Sequence, residues 1–133
     1  MKEAVLDRVN ADPYAKFLGI SVDHVGEGEA KASMTITENH MNFHGAANGG
    51  AIFSLADVVF AIASNSYGQT AVGINVNMNY MRAGMLGDTV TATATEESKN
   101  PKLGLYRMIV KNQHGELLAT ADGMVYRKKE QFA

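Results

Sequence analysis

The sequence predicts an α+β domain: a curved antiparallel sheet of five to six strands wrapped around a long central helix. Three observations carry this expectation. Ala51 to Ser66 is apolar on nearly every face over a helical length, as suits a helix covered on all sides. The chain before and after it runs in short segments that alternate with a period of two, as half-buried strands do. Those segments are joined by short turns containing glycine, proline and asparagine, which suits antiparallel neighbours.

Taken in order, Met1 to Leu18 carries apolar Val5, Val9, Tyr14, Phe17 and Leu18 at an irregular helical spacing that Pro13 breaks. Asp12 suits an N-cap, with Pro13 as the first residue of a second short helix and Gly19 as its stop. This segment is expected to pack as an amphipathic lid, with direct ligand contact as the alternative. From Ile20 to Thr37 the apolar alternation runs Ile20, Val22, His24, then Ala30, Ala32, Met34, Ile36 after the Gly26-Glu27-Gly28 turn, which reads as a hairpin. The loop from Asn39 to Gly50 leads into the helix, which stops before Gly68. Four strands follow. Val72 to Arg82 places Ile74, Val76, Met78 and Tyr80 on one face; then come Asp88 to Ser98, Leu103 to Asn112, and Leu117 to Arg127. The helix would be roughly 24 Å long at about 1.5 Å per residue, and five or six strands span roughly 24–29 Å. A sheet of that width covers most of the helix and leaves one face open, which implies a second subunit.

Bulk properties narrow the function. The chain has 133 residues, 46% of them hydrophobic and 20% charged, a globular composition. Without repeats, linkers or low-complexity tracts, residues 1–133 read as one domain. A net charge of -2 and a pI near 6.0 give no broad nucleic-acid footprint. There are no cysteines, so thiol catalysis, disulfides and thiolate metal sites are excluded. The early residues lack a secretory pattern, and the most hydrophobic stretch, Ala51 to Ala63, is too short and too interrupted to span a bilayer. A cytoplasmic, soluble protein without membrane partners is expected.

The chemistry concentrates at the helix. Asp57 lies too far from the N-terminus to act as a cap, and an ionised carboxylate in apolar surroundings needs a partner or a use. With Ser54, Ala61 and Ser64 it forms a narrow stripe of small and polar residues. Two readings stand: a carboxylate tuned for base or nucleophile work, or one satisfied by hydroxyls and backbone donors across an interface. Gly49 and Gly50 sit where the helix begins, where free N–H groups and the helix dipole can polarise a carbonyl oxygen. A tight turn that merely requires glycine is the simpler alternative. His40 and His44 are four apart but in a loop, so no metal site is expected.

The run Asn42-x-x-Gly45-x-x-Asn48-Gly49-Gly50, followed by Phe53-Ser54-Leu55-Ala56-Asp57, resembles the signature of hotdog-fold acyl-CoA thioesterases of the phenylacetate-degradation (PaaI-like) type. Their pattern is Asn-x-x-Gly-x-x-His-Gly-Gly and then Ser-Leu-Ala-Asp. Asn77-Met78-Asn79-Tyr80-Met81-Arg82 resembles the strand and turn that come after the helix in that family, and Gly87-Asp88-Thr89-Val90 the start of the next strand. The resemblance covers roughly Leu18 to Tyr126.

It implies a hotdog fold and an acyl-CoA substrate, with no cofactor besides the coenzyme A of the substrate itself. Asp57 matches the catalytic base or nucleophile, Gly49 the glycine whose N–H polarises the thioester carbonyl, and Asn42 the side chain that holds the water or carboxylate. Asn48, Gly50, Ser54, Ala61, Gly73 and Arg82 fall around them as substrate-binding positions. Arg82, Lys99 and Lys102 are basic turn residues within reach of coenzyme A phosphates, or simply solvated. In such relatives the carboxylate and the glycine come from different subunits, so the resemblance implies a homodimer or a homotetramer built as a dimer of dimers. Two positions depart from the family. Asn48 replaces the histidine and cannot titrate near neutral pH; Gly73 stands where some relatives carry Ser or Thr. A non-catalytic acyl-CoA or acyl-carrier binding hotdog protein is the alternative, and a dehydratase or hydratase a more distant one.

Overall fold

The computed structural model describes residues 2–133. Two short helices, α1 (Glu3–Asn10) and α2 (Pro13–Leu18), precede a hairpin of β1 (Ser21–Gly26) and β2 (Glu29–Thr35). A single 3-10 turn at Glu38–His40 leads into a loop and then α3 (Gly49–Asn65). Four strands complete the chain: β3 (Gln69–Tyr80), β4 (Thr89–Lys99), β5 (Leu103–Lys111) and β6 (Leu117–Gln131). The six strands form one antiparallel sheet in the order β1-β2-β4-β5-β6-β3. The expected architecture is therefore present, with six strands.

The sheet wraps α3 because α3 has little else to offer water. Ile52, Leu55, Ala56, Val58, Val59, Phe60, Ile62 and Ala63 are all buried. They meet an inner sheet face built from Met34, Val90, Tyr106, Met108, Val110, Leu118 and Val125. Alanines at 32, 92, 94 and 121 keep that face shallow, so the helix can lie close to the strands. Burying each large side chain contributes roughly 1.5–3 kcal/mol relative to exposure, and these layers carry most of the stability. At the far end of the helix, Tyr106 Oη and Tyr67 Oη both donate to the Glu96 carboxylate, at 2.7 and 3.2 Å. No helix among the described residues is long and apolar enough to cross a membrane.

The N-terminal helices close over the side of α3 that faces away from the sheet. Asp12 Oδ1 accepts from the Tyr14 and Ala15 N–H groups, Pro13 begins α2, and Gly19 ends it at φ 78°, as expected from the sequence. Val5 and Ala15 are buried, so the open helix face is partly covered by the chain's own N-terminal segment.

Register shifts interrupt each of several strand pairs, and two of them turn expected core positions outward. A bulge between Val22 and His24 shifts the β1 register, so His24 faces solvent and pairs with Glu29 at 2.8 Å instead of facing the core. A second bulge between Gly73 and Asn75 takes Ile74 out of the ladder and leaves it 55% exposed. One extra residue reverses the facing of everything beyond it. Tyr80, too, is exposed, because β3 is an edge strand with no neighbour on its outer side.

Candidate active site

The helix begins two residues earlier than its apolar pattern suggests. Asn48 is the N-cap, with its Oδ1 accepting from the Gly50 N–H at 2.7 Å, and Gly49 and Gly50 form the first turn. Glycine is tolerated there because first-turn N–H groups lie outside the intrahelical ladder. The Asn48 carbonyl accepts from Ala51 and Ile52, and its own N–H donates to the His40 carbonyl at 2.7 Å. His40 is itself buried and fixed, with Nδ1 accepting from the Thr37 N–H and Nε2–H donating to the Leu18 carbonyl. It is structural, and His44, stacked on exposed Phe43, lies apart from it.

The loop ahead of the helix folds around Asn42. Its Oδ1 accepts from the His44 and Ala46 N–H groups at 2.9 and 3.1 Å, while its backbone exchanges hydrogen bonds with Ala46 and Gly45. The amide nitrogen of Asn42 has no partner among the described residues. The loop then docks on the β3–β4 turn through the Ala47 N–H, which donates to the Gly84 carbonyl at 2.8 Å.

Between these two turns lies an open cleft of about 340 Å³, lined by Asn42, Ala47, Gly49, Ile52, Tyr80 and Arg82 among others. Asn42, Gly49 and Arg82 are thus brought together. The Gly49 N–H has no acceptor among the described residues, so it is a free donor at the positive end of a helix. Tyr80 Oη donates to the Gly49 carbonyl at 3.0 Å, and its ring lies against the glycine. Arg82 sits at the rim, paired with Glu116 at 3.1 Å.

Asp57 is not in that cleft. It is exposed on the outer face of α3, beside the N-terminal helices. Its carboxylate makes no hydrogen bond among the described residues. Ser54 does not satisfy it: Ser54 Oγ donates back to the Gly50 carbonyl at 2.8 Å and accepts from Tyr14 Oη at 3.3 Å. The surrounding protein raises the Asp57 pKa above the ordinary carboxylate value, first by partial desolvation and second through the negative charge of Asp12. Within the chain, this is an unpartnered, proton-hungry carboxylate.

The remaining expected positions divide. Ala61, one turn beyond Asp57, lines a smaller apolar hollow with Val5, Val9, Asp12 and Phe132. Ser64 is buried, its hydroxyl turned back to the Ala61 carbonyl, so it does not extend the Asp57 stripe. Gly73 has a packing role: a Cβ there would stand 3.0 Å from the Phe60 ring. Lys99 lies 3.6 Å over the Tyr67 ring at the far end of the helix, away from the cleft residues.

Comparison with known proteins places this arrangement. The profile of the Thioesterase superfamily matches residues 44–119. The acyl-coenzyme A thioesterase PaaI of Escherichia coli is 39% identical over 87% of this chain and 83% of that protein. The chain belongs to the Thioesterase superfamily. The structure of E. coli PaaI superposes with a TM-score of 0.94, covering 98% of this chain and 95% of the other at 34% identity. A mutant of the phenylacetic acid degradation protein PaaI from Thermus thermophilus gives a TM-score of 0.85 at 37% identity, covering 88% and 100%. The six strands around α3 are accordingly the hotdog fold, of the PaaI-like type.

Three residues of this thioesterase escape the motif. Tyr80 contacts Gly49 from a strand thirty-one residues away. Asp12 and Tyr14 reach the face of Asp57 from the N-terminal segment. Their separation in sequence hides them, although Tyr80 lies inside the second stretch of family-like residues and Asp12 and Tyr14 inside the segment for which ligand contact is the alternative.

Proposed function

We propose that this chain is an acyl-CoA thioesterase that hydrolyses a thioester to a free carboxylate and coenzyme A at a site shared between two copies. The separation of Gly49 and Asp57 on one helix supports the shared site. They are eight residues apart on α3, roughly 12 Å along the axis at about 1.5 Å per residue. A carbonyl oxygen held about 3 Å from the Gly49 N–H leaves its carbon within a further ~1.2 Å. The attacking atom must then lie about 3–3.5 Å from that carbon. The same-chain Asp57 is too far away to serve. A second copy brings its own Asp57 to the cleft.

The β3 edge suits such a second copy. Its outer backbone groups have no strand neighbour, and Val72, Ile74, Tyr80 and Met81 expose apolar surface along it. An unpaired apolar edge is a template for another strand. In the assembled site the Gly49 N–H polarises the carbonyl, the Asn42 amide nitrogen positions the water or carboxylate, and the partner's carboxylate acts as general base or as nucleophile. Water supplies the added oxygen and the departing sulfur takes up a proton. Arg82 at the rim offers a charge to coenzyme A phosphates, and the chemistry requires no metal or redox cofactor.

The test is a hydrolysis screen over short, long and aromatic acyl-CoAs with the wild type and Asp57→Ala. Turnover by the wild type and its loss in a folded Asp57→Ala variant are expected. Unchanged hydrolysis in that variant sinks the assignment of Asp57. Tight binding of acyl-CoA without turnover by the wild type assigns the chain instead to non-catalytic binding.

A further inference from the structure

The peptide unit between Gly49 and Gly50 is held at both ends. Its carbonyl accepts from Tyr80 Oη at 3.0 Å, and its N–H donates to Asn48 Oδ1 at 2.7 Å. The preceding unit is fixed on one side only: the Asn48 carbonyl accepts from Ala51 and Ile52, while the Gly49 N–H points free. Of the four backbone groups in these two peptide units, the Gly49 N–H alone has no partner among the described residues.

Such a clamp answers a physical weakness of the turn. Glycine is the poorest helix former after proline and has the widest choice of φ and ψ. Two glycines in the first turn, where no intrahelical bond holds the N–H groups, would fray and spread the direction of the Gly49 N–H. A donor aids catalysis only when it is already aimed at the position the oxyanion will occupy. The Tyr80 ring stands beside the turn: a Cβ on Gly49 would meet it at an ordinary contact distance of 3.4 Å, so it is the hydroxyl, and not a need for glycine, that ties the ring to this peptide.

We propose that Tyr80 and Asn48 are positioning residues for the reaction, clamping the Gly49–Gly50 peptide so that the Gly49 N–H is aimed at the developing oxyanion. The inference rests on the thioesterase reading above and adds two residues to it. It also gives Asn48 a task that needs no titratable ring: an oxygen that caps the second glycine.

The experiment compares wild type, Tyr80→Phe, Asn48→Ala and Asn48→Ser on one acyl-CoA that the wild type hydrolyses, with melting temperatures as a check on folding. Tyr80→Phe keeps the ring and loses only the hydroxyl. A fall in kcat on the order of tenfold is expected, smaller than the roughly hundredfold or greater loss of an oxyanion donor outright, with KM nearly unchanged. Asn48→Ala should fall similarly, and Asn48→Ser, which restores a capping oxygen, should recover most of the rate. A second readout needs no substrate. In the free protein the Gly50 amide proton should exchange with solvent faster in Tyr80→Phe and Asn48→Ala than in wild type. Unchanged kcat in Tyr80→Phe, or a rise in KM alone, overturns the proposal. So does failure of Asn48→Ser to improve on Asn48→Ala. A wild type inert on every acyl-CoA overturns the thioesterase reading and the inference with it, a result distinct from an active wild type with an indifferent Tyr80→Phe.

Discussion

The ring of Phe60 occupies the space that a side chain on Gly123 would need: a Cβ built there would come within 2.7 Å of the ring. The same ring lies 3.0 Å from a Cβ on Gly73, so one phenylalanine of α3 is seated on two bare backbones, of β6 and β3. Gly123→Ala should therefore destabilise the fold by about 1–3 kcal/mol, the usual range for overpacking. Gly73→Ala meets the ring further out and should cost less. Thermal melts of the two variants check the order. Combining Gly123→Ala with Phe60→Leu should return part of the loss, and a double variant no more stable than Gly123→Ala would show that the ring is not the obstacle.

The raised pKa of Asp57 has a definite sign for stability. The folded state keeps its proton to a higher pH than the unfolded chain, so stability contributed by the protonated form is lost as pH rises from the unfolded carboxylate range, about 3.9, through the raised folded value. Asp57→Asn should consequently be more stable than wild type at neutral pH, and the advantage should shrink on acidification toward that range. Melting temperatures across pH measure it.

Asp12 offers a way to move the same group without touching it. Asp12→Asn removes the second cause of the shift while keeping an oxygen able to cap α2, a position where asparagine serves as well as aspartate. The acid limb of the pH–rate profile should move to lower pH, with helix content intact by circular dichroism. An unmoved limb would mean that some group other than Asp57 governs it.

Gly49 permits a clean removal of its N–H. It is the first residue of α3, and Asn48 ahead of it is extended at φ -60° and ψ 132°, the conformation proline demands of its predecessor. Proline is favoured at this helical position. Gly49→Pro should therefore fold and yet lower kcat by about a hundredfold or more, the scale of losing an oxyanion donor. Full activity in a folded Gly49→Pro protein would remove that N–H from the mechanism.

Much of the architecture is legible because its determinants are local. An all-apolar helix, Asp12-Pro13 before α2, Gly19 after it, and strands broken by short turns each declare themselves within a few residues. The register shifts do not: Asp23 and Ile74, for example, leave the ladder through backbone geometry that an alternating pattern cannot register. The helix start is hidden because glycine argues against helix everywhere except in the first turn, and only the Asn48 cap shows that this is the first turn. The site divides along the same line. Asn42, Gly49 and Asp57 belong to a contiguous motif, whereas Tyr80, Asp12 and Tyr14 join it through tertiary contacts from other elements.

The roughly 12 Å that part Gly49 from Asp57 along α3 also carry a genetic consequence. On the proposed shared site, each chain of a two-fold pair would lend its carboxylate to one site and its amide to the other. A chain carrying Asp57→Ala and a chain carrying Gly49→Pro should each be inactive alone, but a mixed pair should keep one intact site, formed by the sound half of each. Coexpressed in equal amounts, with half the pairs mixed and one of two sites working in each, they should restore about a quarter of the wild-type rate. Two broken copies of the gene would complement one another.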